Sequence, residues 1–201
     1  MREKTNLENF NTTRPLQLYP TGYSNEKIDA FYLSSFDRME LRLYPKKLDP
    51  LPELVFSIEA LPKIFTKQDT LMIKQGLQDL YHKRIVEKMQ EICPNDFQAL
   101  PVKLINNQKS KEVFENHDYY MLNILHKIDA LDMERSVIEH WQRSNGQMTY
   151  SVHKARFKDD KWDAHFIARE KNLGRILWHP ILAKEFAKHK SIKFLADDEI
   201  E

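Results

Sequence analysis

The stretch FQALPVKLINNQKSKEVFENHDYYMLNIL (Phe97–Leu125) decides the fold. Its first nine residues, Phe97 to Ile105, read as a strand in which Pro101 marks an edge or a bend, because proline has no N–H to give to a ladder. Its last eight, Asp118 to Leu125, are nearly all apolar, the pattern of a strand buried on both faces. Upstream, Ile73, Leu77, Leu80, Tyr81, Ile85, Met89 and Ile92 recur at three- and four-residue spacing behind Thr66, a good N-cap, and Pro94 stops the run. This spacing predicts one long helix over about 67–92. Four prolines between Leu43 and Pro62 make that region a connector, with Leu54-Val55-Phe56 extended inside it. A short strand is expected at Phe31 to Ser35, and residues 1–30 read as an irregular arm. Downstream, Asn145-Gly146 separates two extended segments, Ser136 to Arg143 and Gln147 to Phe157, and is the best hairpin turn in the chain. His165 to Arg169 and Ser191 to Leu195 are further strand candidates. Gly174 to Trp178 is apolar, and Pro180 opens a short helix to about residue 190. The expectation is a single α+β domain over 1–201, with a mixed or antiparallel sheet, the long helix, and the short C-terminal one.

Of the 201 residues, 41% are hydrophobic and 30% charged, enough for a core without staples. Cys93 is the one cysteine, so an intramolecular disulfide framework and a cysteine-only zinc site are excluded. The first fifteen residues lack the apolar centre of a secretory signal, and no run of about 18 apolar residues occurs. A cytoplasmic protein with no membrane partner is expected. The formal charge of +1 argues against obligate nucleic-acid binding. Even so, Ser151 to Leu195 holds 11 basic and 5 acidic residues, ahead of an acidic tail at Asp197, Asp198, Glu199 and Glu201. Four glycines, widely spaced, exclude phosphate-binding loops and the cofactors they hold.

Eight histidines are present, but none are placed at HxH or HxxxH spacing, so ordinary surface or half-buried roles are expected and no metal. No serine lies in a GxSxG elbow, and Cys93 directly precedes Pro94 with no basic residue beside it, which leaves no catalytic residue to name. Asp159, Asp160 and Asp163 around Lys161 are a sparse version of a magnesium-binding nuclease pattern, for which a solvated turn is the simpler account. Trp162, inside that turn, either folds back onto the core or stands out as a contact anchor. Trp141 and Trp178 lie in apolar-periodic segments and are expected in the core. In Ile128 to Ser136, Asp129 and Asp132 can satisfy backbone donors at a corner that ends in Ser136, while Ile128 and Leu131 pack.

The order of these elements resembles the C-terminal core of immunity family eleven of bacterial polymorphic-toxin systems, over roughly 96–195. The matching positions are Pro101 and Val102, then Asp118, Tyr120, Leu122 and Asn123, then Ile128, Asp129, Asp132 and Ser136, with Phe186 and Phe194 near the end. The resemblance implies a non-enzymatic, cofactor-free cytoplasmic protein that binds and neutralises a cognate toxin, such as an effector delivered by type VI secretion, and so protects the bacterium that makes it. Within that reading, Asp159, Asp160, Trp162 and Asp163 are candidate partner contacts, their acids suited to the basic cleft of a nuclease effector, and Asp129, Asp132 and Ser136 form a structural turn. The alternatives are a nucleic-acid-binding or regulatory module using the basic stretch from Lys154 to Lys193, and a small metal-dependent nuclease using the acidic turn.

Overall fold

Strand β6 (Phe97–Asn106) and strand β7 (Glu115–Ile124) pair antiparallel along almost their whole length, from Phe97 opposite Ile124 to Ile105 opposite Glu115. Residues Met121 to Ile124 are buried without interruption, as the apolar run requires. Pro101 does sit at an edge: the parallel partner of β6, strand β3 (Leu54–Ile58), begins pairing one residue later, with Leu54 opposite Val102. The computed structural model describes residues 16–20, 29–34, 36–38, 41, 45–58, 68–73, 79–106, 114–159, 161–162, 165–189 and 192–195. Asp160, Asp163, Thr66 and the acidic tail lie outside them.

Three further strands complete a closed barrel with this pair and β3: β2 (Asp29–Tyr32), β4 (Thr70–Ile73) and β5 (Leu80–His82), in the order β2-β3-β6-β7-β5-β4. β2 closes the ring by running parallel to β4. The barrel core holds Leu54, Phe56, Leu71, Leu80, Leu100, Val102, Leu104, Tyr119 and Met121. Tyr119 donates its hydroxyl to the Gln68 carbonyl at 2.8 Å, which lets a phenol stand in an otherwise apolar interior.

The long helix over 67–92 is not formed. The described residues of its first half form β4 and β5, and helix α1 covers only Lys83–Ile92. Residues at three- and four-residue spacing suit two short strands as well as a helix, and pairing of β4 with β2 and of β5 with β7 decides between them. His82 supplies the real N-cap, its Nδ1 accepting from the Arg84 N–H at 3.3 Å. Ile85, Val86 and Met89 form the buried face of α1. The C-terminal helix is also shorter than expected: α2 spans Pro180–Phe186, with proline in the first turn and His179 Nδ1 accepting from the Ile181 N–H.

A second sheet of five strands has the order β13-β1-β12-β11-β8, built from β1 (Leu16–Pro20), β8 (Lys127–Ile128), β11 (Ile167–Glu170), β12 (Ile176–Trp178) and β13 (Ile192–Leu195). The arm expected to be irregular thus contributes β1, an interior strand paired on both sides by β12 and β13. Beside this sheet a core of Met89, Phe97, Leu122, Ile124, Trp178, Leu182, Phe186 and Phe194 joins both helices to the β6–β7 pair. The pair therefore serves two cores at once.

Strands β9 (Val137–Gln142) and β10 (Met148–Lys154) form the hairpin announced by Asn145-Gly146. Gly146 has φ of +81°, a conformation that L side chains resist, and the Gln147 N–H donates to Asn145 Oδ1 at 3.0 Å. Among the described residues neither strand pairs with a third.

Candidate functional site

Three connections meet where β6 begins and β7 ends. Cys93 closes α1, its N–H donating to the Met89 carbonyl at 2.8 Å, and the turn after Pro94 delivers Asp96. The Leu125 N–H donates to the Asp96 carbonyl at 2.9 Å, which fixes the next residue, His126, beside it. His165 arrives from the segment before β11. Asp96 is 5% exposed. Its Oδ2 accepts from the Phe166 N–H at 2.7 Å and the Ile167 N–H at 3.3 Å, while Oδ1 accepts from His165 Nδ1 at 3.0 Å. His126 Nε2 lies 3.7 Å from the same Oδ1 and 3.0 Å from the Asn95 carbonyl. The two imidazoles are stacked, with centroids 3.7 Å apart and planes 15° apart. The neighbouring Cys93 thiol is pushed up to about 12 by burial, with the Asp96 charge adding to it, so it stays protonated and unreactive at neutral pH.

A second feature is the β9–β10 hairpin. Among the described residues seven large hydrophobic side chains are exposed, and four of them, Met133, Val137, Trp141 and Met148, fall in or just before this hairpin. Alternation puts Val137, Glu139 and Trp141 on one face, with Thr149 opposite Trp141 and Ser151 opposite Glu139. Glu139 Oε2 lies 2.9 Å from His153 Nε2 on that face. Ile138, Tyr150 and Val152 line the other side, and Val152 packs against the core formed by Ile128, Leu131, Phe157 and Trp162. Trp141, expected in the core, is instead 44% exposed, because a two-stranded ribbon has only one face to bury. Trp178 is fully buried.

The corner before the hairpin is densely bonded. Asp132 Oδ1 accepts from the N–H groups of Glu134 and Arg135 at 3.1 and 3.0 Å, and Oδ2 from Arg135 Nε at 2.6 Å. Arg135 reaches on to the Phe157 carbonyl at 2.8 Å, and Ser136 Oγ accepts from the Arg156 N–H at 2.9 Å. The Arg135 guanidinium and N–H hold the Asp132 carboxyl below the usual carboxylate value. Asp129 is exposed, with Lys158 Nζ at 3.6 Å. Trp162 is 6% exposed and meets the His179 ring edge-on at 5.1 Å. As folded, then, its indole offers a partner almost no surface. Asp159 is exposed.

Asp96, His126 and His165 were not singled out by the sequence, since gaps of 30 and 39 residues leave no spacing signal. The exposure of Trp141 is hidden from the sequence for a different reason: alternation shows which residues share a face, not which face is covered.

A family model of immunity proteins matches residues 80–191, more than half of the chain. The fold from β5 through α2 lies inside that match. The chain belongs to the immunity protein family Imm11. No curated protein matches the chain. Among the described residues no helix is long and apolar enough to cross a membrane.

Proposed function

We propose that this chain is a cytoplasmic immunity protein that binds one cognate toxin and neutralises it, protecting the bacterium that makes both. Membership of the immunity family over residues 80–191 carries the reading. The proposed contact surface is the outer face of the β9–β10 hairpin. Trp141 is a large rigid side chain on the same face as Val137, with Glu139 and His153 as polar neighbours. Buried aromatic anchors ringed by polar groups carry most of the energy of tight interfaces. The acidic run Asp159, Asp160 and Asp163 supplies charge for the basic cleft of a nuclease-type effector, a complementarity that speeds encounter more than it adds affinity. Trp162 is left out of this contact because it is buried.

The test is co-expression with the toxin domain encoded beside this gene. Growth should be restored by the native chain, and a stable complex recovered. Trp141→Ala should weaken the complex by about 30-fold, the effect of losing about 2 kcal/mol at an anchor, with an unchanged melting temperature. Unrestored growth would overturn the function, and full affinity in a folded Trp141→Ala protein would overturn the contact surface.

A further inference from the structure

We propose that Asp96, His126 and His165 form a binding site for a divalent transition cation, zinc in the first instance, which clips together the three connections that meet there. Among the described residues they are the group of three metal-ligating side chains whose ligand atoms all lie within 4.8 Å of one another. A tetrahedral zinc with bonds of about 2.0–2.1 Å holds its ligand atoms about 3.3 Å apart. The two separations from Asp96 Oδ1, 3.0 Å to His165 Nδ1 and 3.7 Å to His126 Nε2, bracket that value.

The carboxylate is already oriented for the task. Its Oδ2 is held by two backbone N–H groups, which fixes the group and leaves Oδ1 facing the imidazoles. Backbone support of this kind to a ligating carboxylate is what tunes and steadies metal sites. The histidine side chains are 31% and 27% exposed, so a cation has a way in and water can fill the remaining position. Two imidazoles and one carboxylate suit late first-row cations better than magnesium or calcium, which want oxygen alone.

Coordination needs the metal near the plane of each ring, and two rings stacked 3.7 Å apart cannot both meet that condition. One ring must turn. His126 is the ring that can, since its Nε2 is engaged by a single backbone carbonyl, whereas His165 is bonded to Asp96 itself. Each liganding nitrogen must also offer its lone pair to the metal, so binding displaces any proton it carries. Elsewhere histidine meets carboxylate only in pairs among the described residues: His153 with Glu139, His117 with Glu115 and His189 with Asp69.

The site shares no residue with the hairpin, and its test needs no toxin. Untagged full-length chain, stripped with chelator, is titrated with zinc by calorimetry and with cobalt(II) in the visible region. One equivalent per chain, a raised melting temperature, and a cobalt d–d band are expected. His126→Gln, His165→Gln and Asp96→Asn should each weaken binding at least tenfold, the asparagine keeping an acceptor for the backbone donors that Asp96 serves. Two results would overturn the proposal: no binding at stoichiometric metal, or a site that survives in both histidine variants and so belongs to one of the surface pairs.

Discussion

Removing the Asp96 side chain should damage the fold in a way that separates charge from hydrogen bonding. The carboxylate is 7% exposed and accepts from two backbone N–H groups and one imidazole. In Asp96→Ala the Phe166 and Ile167 donors lose their acceptor at a place water reaches poorly. Each buried donor left unpaired costs about 1–3 kcal/mol, so the two together cost about 2–6 kcal/mol. For a chain of this size, 1 kcal/mol moves the melting temperature by about 2–4 °C, which predicts a fall of about 10 °C. Asp96→Asn keeps one oxygen for the backbone donors and should cost about a third as much. Thermal melts of the native chain and both variants, followed by circular dichroism at pH 7 in chelator, are the assay. Equal losses in the two variants would refute the reasoning, because the backbone donors would then not be the cause, and so would an alanine variant within 2 °C of native.

Trp162→Ala should cost about 3–5 kcal/mol of stability through the cavity left beside Phe157 and Leu177, with toxin affinity of the folded protein unchanged; calorimetry beside a thermal melt separates the two. Asp132 carries a pH-dependent share of stability. Its folded value lies below the unfolded one near 3.9, so the stabilisation is fully present above about pH 4 and is lost as pH falls through the folded value. The melting-temperature gap between native and Asp132→Asn should therefore narrow below about pH 4, and a gap constant across that range would contradict the assigned bonds.

The parts of this structure legible in the sequence are those with local causes. Asn145-Gly146 demanded a turn with positive φ, Pro180 a first helical turn, and the nearly all-apolar run ending at Leu125 a doubly covered strand. The segment from Thr70 to Ile92 failed because its periodicity has two solutions, and partners distant in the chain, β2 and β7, select the one with strands. Gly76 inside that segment was a local warning, since glycine costs a helix interior about 1 kcal/mol relative to alanine. β1 was invisible because a five-residue strand bounded by prolines draws its stability from neighbours about 160 and 175 residues away, β12 and β13. The Asp96 cluster failed for the same reason: three side chains brought together by tertiary structure carry no motif.

The strand pair β6–β7 bears on how this family can be cut and recombined. A segment trimmed to the matched limits, residues 80–191, keeps β5, β6 and β7 but discards β2, β3 and β4, which close their barrel, and β1 and β13, which extend the second sheet beyond β12. Such a segment would present bare ladder edges on β6, β5 and β12, surfaces that invite pairing with other chains. Grafting one relative's matched region into another therefore means transplanting half of a shared interior. A chimera should be soluble only where the recipient's Leu54–Ile58 and Thr70–Ile73 fit the donor's β6 and β5.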